Sequence, residues 1–303
     1  MYPHISLAVL CGLFGKTRQG WYQWSSNQEN TQLYESIVTK LVVDIRQQIN
    51  NPRLGTSKLR VLLNEQLLDQ GVKVGRDKLY DILRAKGLLV RCRKRKVTTT
   101  DSTHPFRRYP NLVKDNLIER PEQVWVSDIT YVRLSKGFCY LSLITDHYSR
   151  KIVGYCLHLT LESIGPEKAL LMALSQRLYP SAKLVHHSDQ GVQYCSFDYV
   201  KLLKANDILI SMSRKGSPQE NAIAERVNGI LKQEYGLGKT FTGIEQALRA
   251  VKQGVDSYNG QRPHRSLNMQ TPNQVHQKQK AEQVCKLTSE GRDITDTVNR
   301  LKD

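Results

Sequence analysis

The sequence predicts an α/β fold in which a mixed five-stranded sheet with helices is preceded by an all-α region. In the first part of the chain, apolar residues such as Leu33, Ile37 and Leu41 recur at helical spacing. From Val124 the pattern changes to short runs rich in β-branched and aromatic residues, such as VWVSDITYV, which are typical of strands. The length of 303 residues is sufficient for about two domains.

In the all-α region, the sequence pattern predicts four helical segments. A short apolar segment ends near Gly15, and a longer helix spans about residues 32–48. NPRLG breaks the pattern, a third helix begins near Ser57, and a fourth covers 76–85. The last two, joined by DQGVKVG, look like a DNA-reading helix-turn-helix with Arg76 and Lys78 facing outward, although ordinary helix pairs share this pattern.

A strongly basic stretch, RCRKRKVTTT, follows the helices. It contains no acidic residue, so it is either a solvated linker or an arm that contacts DNA phosphates without regard to base sequence. The candidate DNA-contacting residues here are Arg91, Arg93, Lys94, Arg95 and Lys96.

From Val124 the predicted elements follow the order β-β-β-α-β-α-β, with a further helix after them. Two close hairpins join VWVSDITYV, FCYLSLIT and KIVGYCLHLT, which indicates an antiparallel meander. A helix over Ile164–Leu178, a strand at AKLVHHSD, a helix over Phe197–Ala205 and a strand at ILISMS follow. This order is that of the core of an RNase H-like fold.

The last helix of this core has a clear predicted start. Ser217 and Glu220 form a capping-box pattern around Pro218, and the helix continues to about Glu234. One face is apolar. A separate polar stripe at helical spacing consists of Asn221, Glu225, Asn228 and Lys232.

Three acidic residues fall at chemically informative places. Asp128 lies inside the first strand, Asp189 just past the fourth, and Glu225 on the polar face of the last helix. Converging carboxylates would bind Mg²⁺, a hard cation that prefers oxygen ligands, and two such ions can assist an in-line phosphoryl displacement. A single acid in a strand, turn or helix is more often an ion-pair partner or a cap. For Asp146, which lies close to Arg150 in the sequence, we favour a structural salt bridge between the two. The sequence alone does not exclude Asp146 from the metal site.

Charge and cysteine usage limit the function classes. The 45 Lys and Arg outnumber 28 Asp and Glu, giving a net charge of +17, which predicts a polyanionic partner. The six cysteines form neither a CxxC pair nor a zinc-finger spacing, so we expect a reducing cytoplasm. We also expect no signal peptide and no membrane span.

Three stretches, WVSDITYV, HSDQGVQY and ENAIAERVNGILKQE, resemble the catalytic motifs of DDE transposases and retroviral integrases. Thirty-five residues separate Asp189 from Glu225, as in that superfamily, and Lys232 matches its basic residue seven positions past the glutamate. The chain is most similar to the second-frame (OrfB) transposases of bacterial insertion sequences of the IS-three family. NPRLGTSKLRVLL and YNGQRPHRSLNMQTP extend the resemblance over nearly the whole chain. A departure is Glu220-Asn221, where the family usually has Asp-Asn.

The resemblance implies a DDE-type polynucleotidyl transferase that uses two Mg²⁺ ions, with Mn²⁺ as a substitute, held by Asp128, Asp189 and Glu225. It implies cleavage at element ends and transfer of the freed 3′-hydroxyl to a second phosphodiester. Expected partners are double-stranded DNA of the element ends and target, further copies of the chain on DNA, and an upstream-frame helix-turn-helix protein that is fused to this chain or assists it. The resemblance also implies a location in the bacterial cytoplasm, in association with the nucleoid.

The resemblance and the composition together predict six segments. They are 1–30, an N-terminal helical segment; 31–90, the helix-turn-helix-like region; 91–120, a basic linker; 121–237, the RNase H-like integrase catalytic core; 238–280, a C-terminal helical extension; and 281–303, a polar tail.

Some assignments remain open at this stage. In the C-terminal extension, Arg262 and His264 belong either to a polar turn that meets DNA phosphates or to a cap with a basic surface. His186 and His187, at a strand end, are favoured as structural over DNA-contacting or metal-binding. The rival functions are a DNA-binding regulator, whose acids would be structural, and a nuclease that cleaves without joining.

Overall fold

The computed structural model describes residues 6–90, 105–114, 116–214 and 217–278. The chain divides into two compact units. The helical unit comprises Met1–Gln48 and Leu54–Val90, and the sheet unit comprises Ile49–Arg53 and Arg91–Asp303. The basic residues from Arg91 to Lys96, which are predicted to contact DNA, lie outside the described residues, and so does the predicted tail 281–303. The six segment boundaries stay predictions.

The helical unit contains α1 (Leu7–Leu13), α2 (Arg18–Gln48), α3 (Thr56–Gln66) and α4 (Arg76–Ala85). Helix α2 begins at Arg18 and not near residue 32 as predicted. Its first half is mostly exposed and polar, so it carries no apolar periodicity to signal a helix. Leu33 and Ile37, predicted to face inward, are also exposed. The buried face of α2 is formed by Val38, Val42, Ile45 and Arg46.

Helices α3 and α4 pack through buried leucines, as the sequence predicted. Leu59 and Leu63 of α3 and Leu79 and Leu83 of α4 are fully buried. The Arg46 guanidinium donates to the carbonyl oxygens of Leu54 and Leu88, so the segments that flank this helix pair are tied to α2. The outward Arg76 and Lys78 are consistent with a DNA-reading pair, which stays a prediction.

The sheet unit confirms the predicted order and adds one short strand. The strands run in the order β3-β2-β1-β4-β5, with β1, β2 and β3 antiparallel and β4 and β5 parallel to β1. The sixth strand was missed because two residues carry no detectable period. In chain order the elements are β1 (Val124–Leu134), β2 (Phe138–Asp146), β3 (Ile152–His158), α5 (Ile164–Ser175), β4 (Val185–Ser188), α6 (Val192–Cys195), α7 (Phe197–Ala205), β5 (Leu209–Met212), α8 (Ala222–Glu234), β6 (Thr240–Phe241) and α9 (Ile244–Gly260).

Helix α5 lies unusually close to the sheet. A Cβ at Gly154 of β3 would come within 2.1 Å of the Ala169 carbonyl oxygen and 2.9 Å of the Ala173 Cβ. The α5 residues at this contact are therefore small, Ala169 and Ala173, and Leu170 is buried beside them.

Two apolar clusters hold the sheet between helices. One joins β1, β2 and β3 to α8 and α9 through residues such as Val132, Leu141 and Val227. The other joins the opposite face to α5 and α7 through residues such as Trp125 and Tyr199. Helix α8 is thus fixed against the strand that carries Asp128.

The predicted capping box before α8 was wrong. Pro218–Asn221 form a 3₁₀ turn, and Ser217 makes no side-chain cap. The Glu220 carboxylate instead accepts from the backbone N–H and guanidinium of Arg214 and from Asn111. These bonds lower the pKa of Glu220 to about 2, and the bond from the Arg214 backbone N–H has the largest effect. Glu220 therefore fastens the segment that enters α8.

Candidate active site

Strand β1 has one open stretch along its edge. Strand β4 pairs with Val124–Val126 and β6 with Arg133 and Leu134. Across the described residues, no strand pairs with Ser127–Val132 on that side. Instead, the Asn221 amide donates to the Ser127 carbonyl oxygen at 2.9 Å. Asp128 lies in this open stretch.

Asp128 is held in a fixed orientation on β1. One carboxylate oxygen accepts from the Asn228 amide at 2.7 Å and the other from the Ile129 backbone N–H at 3.0 Å. The Asn228 bond joins Asp128 to α8, the helix that also carries Glu225. The carboxylate is thus fixed before any ligand arrives.

Asp189 follows directly after β4. Its Oδ1 accepts from the Gly191 backbone N–H at 3.0 Å, at the turn that leads into α6. A Cβ at residue 191 would lie only 3.0 Å from that oxygen, so the absence of a side chain at Gly191 avoids a steric clash with the carboxylate. The turn positions Asp189 beside the start of the open stretch, because β4 pairs with β1 there.

Glu225 stands in the first turn of α8, which packs on β1 and β2. Its residue is partly exposed. Asn228 and Lys232 of the same helix, and Asn221 directly before it, face β1, so the predicted polar stripe is a real face. The structure corrects two assignments on it: Asn221 and Asn228 are each only 5% exposed and bond to β1, so neither is placed to contact DNA.

The three predicted acids interact electrostatically. The pKa of Asp128 is raised to about 7, first by burial and then by the negative charges of Asp189 and Glu225, against lowering by the Asn228 and Ile129 bonds. The structure therefore brings together carboxylates that are 61 and 36 residues apart along the chain. Their mutual repulsion is a feature of a binding site for cations.

Among the described residues, no three His, Cys, Asp or Glu side chains already form a ready-made metal site. The donor set nevertheless fits Mg²⁺: three carboxylates on three elements supply only oxygen ligands. A divalent cation would also relieve the repulsion that raises the pKa of Asp128.

Lys232 lies close to this site. Its ammonium stands 4.5 Å from the centre of the Tyr131 ring. Burial lowers the pKa of Lys232, and the negative charge of Asp128 opposes this. The prediction that Lys232 contacts DNA stays open, since a half-buried cation beside carboxylates can meet a phosphate. Sequence reasoning missed Tyr131, although a ring three positions after Asp128 was visible.

The two histidines before Asp189 are buried and structural, as favoured from the sequence. The His186 Nε2 lies 2.6 Å from Ser127 Oγ and 2.8 Å from the Tyr199 hydroxyl. The His187 Nδ1 lies 2.8 Å from Ser211 Oγ. Burial lowers the pKa of both, that of His186 to about 3, which keeps each ring neutral.

Asp146 belongs to a separate buried cluster. It accepts from the Glu122 backbone N–H and from the Ser149 backbone N–H and hydroxyl, at 2.6–2.7 Å. Ser149 Oγ lies 2.9 Å from Nδ1 of His276, whose Nε2 is 3.6 Å from Glu122. The Asp146 carboxylate faces inward at the end of β2, so it accepts hydrogen bonds from these groups and does not form the predicted salt bridge with Arg150.

The prediction that Arg262 and His264 meet DNA phosphates was wrong, because both are buried, at 2% and 7% exposure. The Arg262 guanidinium donates to both Glu234 oxygens, at 2.7 and 2.8 Å, and lies 2.9 Å from His264 Nε2. Glu234 is the last residue of α8. This motif therefore supports the helix that carries Glu225.

The outward residues of α4 have acidic neighbours. Arg76 bonds to the adjacent Asp77, and Lys78 pairs with Glu35 of α2 at 3.0 Å. All four lie at least partly exposed, where such pairs exchange readily with phosphate. Their DNA contacts stay predictions.

With this geometry in hand, known proteins provide a comparison. Two family models, both described as Integrase core domain, match residues 118–218 and 206–272. The chain is 36% identical over 270 residues to the Insertion element IS600 uncharacterized 31 kDa protein of Shigella sonnei, covering 87% of this chain and 96% of that one. It is 31% identical over 287 residues to Transposase InsF for insertion sequence IS3A of Escherichia coli K12, covering 90% and 94%.

This chain belongs to the IS3 (IS-three) family of bacterial insertion-sequence transposases. It is a DDE-type transposase with an integrase catalytic core, as the three motifs predicted. Its function in DNA transposition separates it from a regulator with structural acids. A solved structure, the HTLV-2 integrase catalytic core domain in complex with magnesium (trimeric form), is 19% identical with a TM-score of 0.42, covering 52% of this chain and 97% of that one. Among the described helices, none has the length and apolar character needed to cross a membrane.

Proposed function

We propose that this transposase cleaves DNA at the ends of its insertion sequence and joins the freed 3′ ends to new DNA by Mg²⁺-dependent transesterification. The observation that supports this most directly is the electrostatic coupling of Asp128, Asp189 and Glu225 at the open edge of β1. Three carboxylates whose negative charges act on one another suit cation-assisted phosphoryl transfer better than a structural role.

Asp128, Asp189 and Glu225 are the residues that would hold two Mg²⁺ ions, or Mn²⁺ in their place. When bound, such ions supply charge stabilisation to the attacking and leaving oxygens of an in-line displacement. Asn228 and the Ile129 N–H orient Asp128, and the Gly191 N–H orients Asp189. The chain thereby pays little ordering entropy when it binds cation and substrate.

Each step forms one P–O bond and breaks another at the same phosphorus. In cleavage, water attacks phosphorus, a P–O bond forms, and the 3′-oxygen leaves with a proton from the water, so the products are a 3′-hydroxyl and a 5′-phosphate. In transfer, that 3′-hydroxyl attacks a phosphodiester of the target, a new phosphodiester forms, and the target's own 3′-oxygen leaves with the proton that the attacking hydroxyl gives up. Lys232, beside Asp128, is placed to attract the phosphate that reacts.

Double-stranded DNA of the element ends and the target is the proposed substrate. The net charge of +17 supports a polyanionic partner, and residues 1–120 hold about two-thirds of the surplus. Two element ends need two active sites, so we propose that several copies assemble on DNA. An upstream-frame helix-turn-helix protein, fused or separate, would add recognition of the ends.

The test uses the purified full chain and a duplex that carries the inverted repeats flanking its gene. With Mg²⁺, we expect nicks that leave 3′-hydroxyls and, later, joined products on a denaturing gel. Asp189→Asn should abolish both. Asp198→Asn, which neutralises an exposed carboxylate of α7 in the same unit, is the matched control and should retain both.

Three outcomes would contradict the proposal. Full activity of the Asp189→Asn variant would exclude the acid site, and activity in excess chelator would exclude the metal. Nicks that never yield joined strands, with intact element ends and target present, would indicate the nuclease alternative.

A further inference from the structure

A row of aromatic rings and cations runs from the active site along the β1–β2 hairpin. The Lys232 ammonium lies over the Tyr131 ring, and the Tyr131 ring meets the Phe138 ring edge-to-face with centroids 5.6 Å apart. The Arg133 guanidinium lies 5.6 Å from the Phe138 centroid. We call these four side chains the hairpin array.

The array begins at the catalytic carboxylates. Side chains three positions apart on a strand point to opposite faces, so Tyr131 lies on the other face of β1 from Asp128. Lys232 joins the two across the open stretch of the strand edge, because it interacts with the charge of Asp128 and its ammonium lies 4.5 Å from the centre of the Tyr131 ring. The far end of the array is the hairpin turn at residues 134–138. A DNA strand that leaves the carboxylates past Lys232 and crosses this edge would meet both rings.

Both rings are substantially exposed, Tyr131 at 40% and Phe138 at 45%. Stabilisation of the hairpin alone does not explain why the two rings are exposed. Each ring already has a cross-strand neighbour for that purpose: Tyr140 lies opposite Tyr131, and Arg133 lies opposite Phe138. The Tyr131–Phe138 contact is diagonal and adds exposed apolar surface beside the active site.

The charge of this hairpin is entirely positive. Residues 129–141 include Arg133 and Lys136 and no acidic residue, and Lys232 adds a third cation from α8. Aromatic rings interleaved with cations suit a strand whose phosphates are anionic and whose bases are flat and apolar. Duplex DNA hides its bases in the stack, so the rings require unpaired bases.

We propose that the hairpin array is a stacking surface for unpaired bases of the DNA strand that ends at the active site. This inference rests on the proposed function, since it assumes that DNA is the substrate. Stacking there would hold a frayed end in place while the carboxylates act on its phosphodiester. Arg133 and Lys232 would contact the flanking phosphates.

The test measures binding in chelator, so that it does not depend on catalysis. The probes are a blunt duplex and the same duplex with an overhang of about five nucleotides that contains 2-aminopurine, whose fluorescence is quenched by stacking. We expect the full-length chain to quench the overhang probe and to bind it more tightly than the blunt one. Phe138→Ala should weaken overhang binding about ten-fold and reduce the quenching.

Matched variants separate stacking from other roles. Tyr131→Phe keeps the ring and should behave as the parent chain, whereas Tyr131→Ala should behave as Phe138→Ala. Phe197→Ala removes an exposed ring from α7, a helix packed on α5, α6 and β5, and should change neither probe. Far-ultraviolet circular dichroism and thermal melting confirm that each variant is folded.

Several results would overturn the proposal. They are equal binding of the two probes, equal loss on both with Phe138→Ala, or an unchanged overhang signal in the ring-less variants. Dissociation of a protein oligomer by Phe138→Ala in the absence of DNA would assign the array to a second copy of the chain. These results leave the strand-cleavage test untouched, so failure of the array and failure of the proposed function are distinguishable.

Discussion

The two ends of α8 carry the same kind of side chain in opposite electrostatic settings. Glu225, in the first turn, contributes negative charge to Asp128, which also experiences Asp189. Glu234, the last residue, accepts two bonds from the buried guanidinium of Arg262 and one from the Asn51 amide. One end concentrates like charge, and the other neutralises it.

The contrast shows how a helix can serve reactivity and stability together. Carboxylates that repel one another cost stability until a cation arrives, whereas a buried and hydrogen-bonded ion pair fixes geometry at small net energy. Because one rigid helix joins the two ends, the pair at Glu234 supports the placement of Glu225. The following predictions test that contrast, from the largest expected effect to the smallest.

Neutralising the acidic end should abolish activity without loss of stability. Asp128→Asn removes a negative charge that repels Asp189 and Glu225, so the free energy of unfolding without metal should be unchanged or higher. Strand cleavage with Mg²⁺ should fall on the order of a thousand-fold or more. Urea denaturation and a cleavage time course measure the two quantities.

Glu225→Gln provides the matched comparison at the helix start and should show the same opposition of activity and stability. A large drop in unfolding free energy for either variant would mean that these acids are structural after all.

Breaking the compensated end should do the reverse. Arg262→Ala leaves Glu234 charged without its main partner, so the free energy of unfolding should fall by about 3 kcal/mol. Urea denaturation checks this. The double variant Glu234→Gln/Arg262→Gln, which retains polar shape without charge, should lose less than Arg262→Ala. A double variant less stable than the single one would show that the pair itself, not the orphaned charge, dominates.

The buried cluster around His276 should make stability depend on pH. Burial lowers the pKa of His276, but the carboxylates of Asp146 and Glu122 outweigh it and raise the pKa above 6.5, with Lys151 opposing. The folded chain holds this proton more tightly than the unfolded chain. The resulting stability is complete below about pH 6.5 and is lost as pH rises through the raised pKa.

Thermal melting in buffers from about pH 6 to about pH 9 tests this dependence. His276→Gln should flatten the profile in that window, because it removes the titrating ring. The same alkaline decline in the variant would assign it to another group.

The smallest effect should come from an exposed pair. Lys252 and Asp256 on α9 lie 2.8 Å apart with side chains 71% and 61% exposed. Solvent screens such pairs, so Lys252→Ala should leave the unfolding transition unchanged within error. A loss comparable to that of Arg262→Ala would contradict the view that burial distinguishes the end of α8.

Much of this could be predicted from the sequence because the informative signals were local. Strand alternation, hairpin spacing and the three acidic motifs predicted the confirmed element order and the family. The order of elements determines where strand ends and helix faces lie in the fold. The motifs that carry Asp128, Asp189 and Glu225 are therefore brought near one another, and the three acids interact electrostatically.

The errors arose where tertiary packing decided the outcome. Arg262 resembles a surface arginine until Glu234, 28 residues earlier, is brought beside it. Asn221 and Asn228 share a stripe with Glu225, but only the fold shows that β1 occupies their amides.

The early departure of β4 from β1 has a further consequence for access. Had the two strands continued side by side, a neighbouring strand would cover Asp128, and a molecule as wide as a nucleic acid could not approach it. The divergence leaves a notch in the sheet, bordered by β4, β6 and α8. Insertions that lengthen β4 or β6 toward the middle of β1 would close this notch, with Asp128, Asp189 and Glu225 still in place.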